Sequence, residues 1–130
     1  MENKRRYLSW KDVEHLIEIL HQNIIESNLN IKQIYGIPRG GYIPSVILSH
    51  KMNIPLTTYK YTPNTLIIDD ICDTGKTLQS PIPIVTGVLH YKPHTSEIEP
   101  SFYACKFNSD DWIVYPWENK DSKAIQDYKN

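Results

Sequence analysis

The segment that most constrains this chain is Thr65-Leu66-Ile67-Ile68-Asp69-Asp70, a continuous apolar run that ends in two adjacent carboxylates. A β-forming run without polar alternation is the pattern of a strand buried on both faces, as in a parallel sheet covered by helices. Carboxylates at its end must emerge at the carboxyl edge of the sheet, where open α/β folds bind their ligands. Ile71-Cys72-Asp73-Thr74-Gly75-Lys76-Thr77 follows at once, short on bulk and rich in hydroxyls. Such a loop can present consecutive backbone N–H groups as a concave anion site at a helix start, with threonine hydroxyls as further donors. A phosphate monoester suits Asp73–Thr77. Asp69 and Asp70 are then placed to accept from sugar hydroxyls or to hold a hydrated Mg²⁺. The ending Gly75-Lys76-Thr77 is shared with P-loops, but that motif needs a glycine where this chain has Asp70.

Glycine is scarce: five residues, where average usage near 7% would give about nine. Three of the five stand in Gly36-Ile37-Pro38-Arg39-Gly40-Gly41, and Gly75 stands in the loop above. The two clusters are therefore the places to look for backbone that must approach a ligand closely.

The rest of the chain supplies the frame. Val13, Leu16, Ile17, Leu20 and Ile24 recur at spacings of three and four, which predicts a helix from Ser9 to about Ser27, capped by Ser9 with Asp12 in its first turn. Strands are predicted at Ile31–Ile37, Pro55–Tyr61, Thr65–Asp70 and Ile84–Tyr91, with shorter pieces at Ser101–Phe107 and Trp112–Trp117. A short helix over Tyr42–His50 carries Ile43, Val46 and Ile47 on one side, and the polar tail from Glu118 reads as a frayed helix. Alternating strands and helices predict an α/β fold with an open, mostly parallel sheet, and residues 1–130 read as one domain. Net charge is −1, from 14 Lys+Arg against 15 Asp+Glu, so no global basic field invites nucleic acid. Two cysteines build no disulfide framework, and no apolar stretch is long enough to span a membrane or serve as a signal peptide. A cytoplasmic protein with reduced thiols is expected.

The apolar strand, two acids, two further residues and Asp-Thr-Gly-x-Thr together resemble the 5-phosphoribosyl 1-pyrophosphate (PRPP) motif of type I phosphoribosyltransferases. The resemblance implies that family's Rossmann-like sheet with a small C-terminal hood over the base. It implies that Asp73, Thr74, Gly75, Lys76 and Thr77 wrap the 5′-phosphate of PRPP. Asp69 and Asp70 would meet the ribose hydroxyls and the Mg²⁺ cofactor, with Asp70 as the metal residue. Arg39, Gly40 and Gly41 resemble the family's pyrophosphate loop, which carries a non-proline cis peptide, here expected beside Arg39. Lys92 of Tyr91-Lys92-Pro93, with Trp112 and Ile113 of Trp112-Ile113-Val114-Tyr115-Pro116-Trp117, resembles the base site of the 6-oxopurine branch, especially xanthine-guanine phosphoribosyltransferases. In that pattern Lys92 donates to purine O6, Trp112 stacks on the ring and the backbone at Ile113 reads the 2-position. Asp73 would then be the catalytic residue, exchanging a proton at purine N7. A homodimer or homotetramer is expected, with PRPP and a purine base or nucleotide as partners.

Two departures stand out. Relatives insert a mobile loop of some twenty residues before the acidic strand, whereas Thr57–Thr65 leaves a connection of about five. The helix after the phosphate loop is cut short by Pro81 and Pro83. A lid excludes water and completes a site, so its loss leaves a non-catalytic PRPP or nucleotide sensor as the alternative to an active transferase.

Overall fold

The computed structural model describes residues 4–119. The chain opens with a short strand β1 (Arg5–Tyr7) and a helix α1 (Trp10–Glu26), followed by β2 (Gln33–Gly36) and α2 (Tyr42–Met52). After α2 come β3 (Thr65–Cys72), a 3₁₀ turn at Lys76–Leu78, β4 (Val85–Tyr91), β5 (Phe102–Lys106) and β6 (Trp112–Val114). A four-stranded, all-parallel sheet runs in the order β2-β3-β4-β5, and β1 pairs with β6 in a separate two-stranded parallel ribbon. The polar tail predicted as a frayed helix lies outside the described residues beyond Asn119.

Helix α1 starts where local chemistry says it should. Ser9 accepts from the Asp12 amide while the Asp12 carboxylate accepts from the Ser9 amide, a complete capping box. Its buried face is Val13, Ile17, Leu20 and Ile24, packed with Leu66, Ile68 and Leu89 of the central strands. On the opposite face of the sheet a second cluster joins Ile37, Ile67, Cys72, Leu78, Val88 and Tyr91. With both faces covered, β3 is buried from Thr65 to Asp69, as its unbroken apolar run requires.

Three expectations are corrected, and one element was missed. The strand predicted at Pro55–Tyr61 shrinks to a single bridge, Leu56 to Ile34, held by Ile34 N to Pro55 O and Thr57 N to Ile34 O. A bend and turn follow, and Tyr59 N donates to Thr57 Oγ1, so local hydrogen bonds replace the ladder. Helix α2 buries Pro44, Ser45 and Leu48, while Val46 of the expected apolar side is exposed. The segment after the phosphate loop is shorter than a helix, one 3₁₀ turn followed by extended backbone at Gln79. Finally, β1 was not anticipated. Arg5-Arg6-Tyr7 is too short and too charged to read as a strand, and it forms one only by pairing with β6 across more than 100 residues.

Candidate active site

The carboxyl ends of β2, β3 and β4 meet at one edge, and each contributes a loop. Asp69 and Asp70 end the buried part of β3. The Asp69 carboxylate accepts from its neighbour's amide at 2.8 Å and from the Thr77 hydroxyl at 3.0 Å. The Asp70 carboxylate accepts from Ile71 N at 2.7 Å and lies against the loop after β2. Burial drives both carboxyls upward. That of Asp69 rises well above the usual range, with the charge of Asp70 adding to it, and that of Asp70 rises to about 6, with Glu118 adding. Among the described residues no ion pair involves either carboxylate. A buried acid and its half-buried neighbour, neither with a cation, form a donor set that a hard divalent ion suits. No described group of three or more His, Cys, Asp or Glu could enclose a metal. An ion here would therefore take most of its oxygens from a bound ligand or water.

The loop after β2 is shaped by that carboxylate. A Cβ on Gly40 would lie 2.2 Å from Asp70 Oδ2, and one on Gly41 would lie 2.2 Å from the Ile68 carbonyl oxygen. At Gly41 the strand backbone leaves no room for a side chain, and at Gly40 a side chain would displace the Asp70 carboxylate. Between them and the strand, the Pro38–Arg39 peptide is cis, beside Arg39 as expected, and the Arg39 side chain is exposed at the rim.

The loop after β3 turns through Gly75 at φ +84°, a left-handed conformation that favours glycine, and returns in the 3₁₀ turn at Lys76–Leu78. Thr74 and Lys76 are exposed, Gly75 is buried and Thr77 is half-buried. The segment expected to cradle a phosphate, Asp73–Thr77, is thus loop backbone leading into one 3₁₀ turn rather than the start of an α-helix. The turn after β4 packs onto this loop. Thr95 Oγ1 contacts the Asp73 carboxylate at 2.7 Å and the Asp73 carbonyl at 2.9 Å, and Glu97 N donates to Thr74 O at 2.9 Å. Sequence reading missed Thr95 altogether, since nothing in Lys92-Pro93-His94-Thr95 distinguishes it from a solvated turn residue.

Lys92 opens that turn and is only 6% exposed. Its ammonium donates to the Asp111 carbonyl at 3.3 Å and sits 5.8 Å from the centre of the Phe107 ring. The next residue, Trp112, is 38% exposed, while Ile113 is buried behind it. The hood is braced from the N-terminus, where Arg6 Nε pairs with the Asp111 carboxylate at 2.8 Å. Trp117, by contrast, is half-buried: it stacks on the buried Tyr115 at 4.9 Å between ring centroids and packs against Trp10.

Tyr115 links hood and acids. Its hydroxyl donates to the Asp70 carbonyl at 3.1 Å and meets His90 Nδ1 at 2.8 Å. Since the tyrosine proton goes to Asp70, His90 Nδ1–H is the donor in the second bond. Burial holds the phenol well above its usual range and depresses the His90 imidazole to about 4, so both are neutral near pH 7. Neither residue carried a functional signal in the sequence.

No family model matches the chain. Among curated proteins it is 26% identical to the xanthine-guanine phosphoribosyltransferase of Idiomarina loihiensis, over 89% of this chain and 88% of that one. Among solved structures it is similar to a purine phosphoribosyltransferase from Pyrococcus horikoshii, with a TM-score of 0.74 and 29% identity over 95% of this chain and 99% of that one. The xanthine-guanine-hypoxanthine phosphoribosyltransferase of Helicobacter pylori shares the fold, with a TM-score of 0.73 at 15% identity over 88% and 93% of the two chains.

Proposed function

Because this chain belongs to the type I phosphoribosyltransferase family and is a purine phosphoribosyltransferase, we propose that it transfers the 5-phosphoribosyl group of PRPP to N9 of a 6-oxopurine. The C1′–oxygen bond to pyrophosphate breaks, the C1′–N9 bond forms, and a nucleoside monophosphate and pyrophosphate leave. The observation that carries the choice of base is Lys92, a buried ammonium whose nearest acceptor is the carbonyl just before the exposed face of Trp112. A flat base stacked on Trp112 would present its edge to that ammonium. A carbonyl at C6 accepts from it, whereas the amino group of adenine cannot.

In this reading the loop Asp73–Thr77 holds the 5′-phosphate, and Arg39, Gly40 and Gly41 receive the pyrophosphate. Asp73 takes the proton at purine N7 as the base becomes nucleophilic. The Ile113 backbone faces the 2-position. Asp69 and Asp70 accept from the ribose hydroxyls, and Asp70 would be the residue that holds a Mg²⁺ ion. When bound, that ion supplies positive charge against the leaving pyrophosphate. The fit rests on the acid pair that lacks a protein cation. Among the described residues no helix is long and apolar enough to cross a membrane, and Cys72 and Cys105 are free thiols, which supports a cytoplasmic setting. Assembly as a dimer or tetramer belongs to the same reading, with the exposed apolar residues Tyr42, Val46 and Leu56 in its support.

The test is turnover of guanine, xanthine, hypoxanthine and adenine with PRPP and Mg²⁺, followed by chromatography of the nucleotide. Product from one or more oxopurines and none from adenine is expected. PRPP binding without product from any base would favour a non-catalytic sensor instead.

A further inference from the structure

The short connection before β3 does not stand away from the site. Its near end is closed by Tyr59 N on Thr57 Oγ1 and by the Thr62 hydroxyl on Tyr59 O. Its far end is clamped by Lys32 N on Asn64 O, while Gln33 Nε2 donates to Pro63 O and to Thr65 Oγ1. A turn braced at both ends has no slack with which to swing as a lid does. From its middle, Lys60 reaches across to the phosphate loop. Its ammonium donates to the Thr77 carbonyl at 3.1 Å and lies 5.6 Å from the centre of the Tyr61 ring.

Thr77 is therefore engaged at two points. Its carbonyl accepts from Lys60, and its hydroxyl donates to Asp69 Oδ2 at 3.0 Å. The first bond sets where the last residue of the phosphate loop sits. The second transmits that setting to the carboxylate assigned to the ribose.

We infer that Lys60 is a positioning residue for PRPP: through Thr77 it fixes the phosphate loop and the Asp69 carboxylate in their ligand-ready arrangement before any ligand arrives. This rests on the assignment of Asp69–Thr77 to ribose and phosphate in the proposed function. The connection thereby takes over part of a lid's task by bracing the cradle permanently. Water exclusion is not part of that task, because the turn itself stays at the rim.

The experiment uses the full chain with K60M, which keeps the aliphatic stem and loses the donor, and K60R, which restores a donor. K60Q replaces K60M should the latter fail to fold. Binding of ribose 5-phosphate is measured by calorimetry, and KM and kcat are measured for PRPP and for the purine. K60M is expected to weaken ribose 5-phosphate binding and raise the KM for PRPP by about 10-fold, as for one charge-assisted hydrogen bond. The purine KM should change less than about twofold, and K60R should recover most of the loss. Unchanged ribose 5-phosphate binding in K60M would overturn the inference. So would a K60R variant no better than K60M, or a wild-type chain that does not bind ribose 5-phosphate. Weakened binding in K60M from a wild type that makes no nucleotide would uphold the positioning role and sink the transferase reading instead.

Discussion

Thr95 meets the Asp73 carboxylate at 2.7 Å, so the turn that begins with Lys92 is tied to the first residue of the phosphate loop. The proposed function assigns base recognition to Lys92 and proton handling to Asp73; Thr95 bonds to both, its amide to the Lys92 carbonyl and its hydroxyl to Asp73. Removing it with T95V frees the carboxylate to rotate and should lower kcat about 10-fold with little change in the KM for PRPP. T95S should recover most of the rate. Steady-state kinetics of the three proteins decide it, and an unaltered kcat in T95V would detach Thr95 from Asp73's role.

The two glycines after β2 should fail in different ways. A methyl at position 40 meets the Asp70 carboxylate, the end of a short side chain that can be pushed aside. G40A should fold, at a cost of about 1 kcal/mol for the disturbed bond to Ile71 N, and weaken PRPP binding about 10-fold or more. A methyl at position 41 meets the backbone oxygen of Ile68 in the central strand, which has nowhere to go. G41A should cost about 2–3 kcal/mol in stability. Urea denaturation with PRPP calorimetry separates the two, and equal effects on both readouts would contradict the assignment.

His90 supplies a pH dependence. Its imidazole is held near 4 by burial, against an ordinary value of 6.5. Between those values the unfolded chain binds a proton that the native state refuses. Stability contributed by the neutral ring is thus complete above about pH 6.5 and is lost progressively as pH falls toward 4. Asp69 and Asp70, raised in the fold, act in the opposite sense, so the wild-type curve alone is ambiguous. The difference between wild type and H90Q isolates the histidine. On going from pH 7.5 to 4.5 it should move in the variant's favour by about 2.5 kcal/mol. A difference independent of pH would mean that His90 takes up its proton as readily in the fold as in the unfolded chain.

In the proposed function the choice of base depends on Lys92. K92M preserves the stem over Phe107 and removes the donor, so kcat/KM for oxopurines should fall about 10- to 100-fold while the trace rate with adenine does not. Competition between guanine and adenine measures this directly. Unchanged selectivity would move base recognition to other residues.

Much of the proposed site was legible because a loop that could hold a phosphate would use consecutive backbone. Asp73–Thr77 needs no distant partner to announce itself, and the apolar run Leu66–Ile68 fixes where its strand ends. Ser9 with Asp12, and the stripe Val13, Ile17, Leu20 and Ile24, are likewise local devices, and each is found as read. Helix α2 was misread because apolar spacing alone does not say which side meets the sheet. Small residues such as Ser45 allow the close approach there, since Ser45 Oγ would lie 2.7 Å from a Cβ on Gly36.

The sequence by itself determined the central parallel sheet, the acidic pair at its edge and the two glycine loops beside it. The acidic pair and each glycine loop are encoded in consecutive residues, and the sheet in the alternation of strands with helices along the chain. Only the tertiary structure decided how these parts are held to one another. Thr95 on Asp73, Lys60 on Thr77, Tyr115 between His90 and Asp70, and β1 alongside β6 all join residues far apart in the chain. A hydroxyl, an ammonium or a two-arginine strand has many possible partners when read along a sequence. Folding brings one partner within hydrogen-bond distance, and that choice joins the loop after β3 and the acid pair into one hydrogen-bonded cluster.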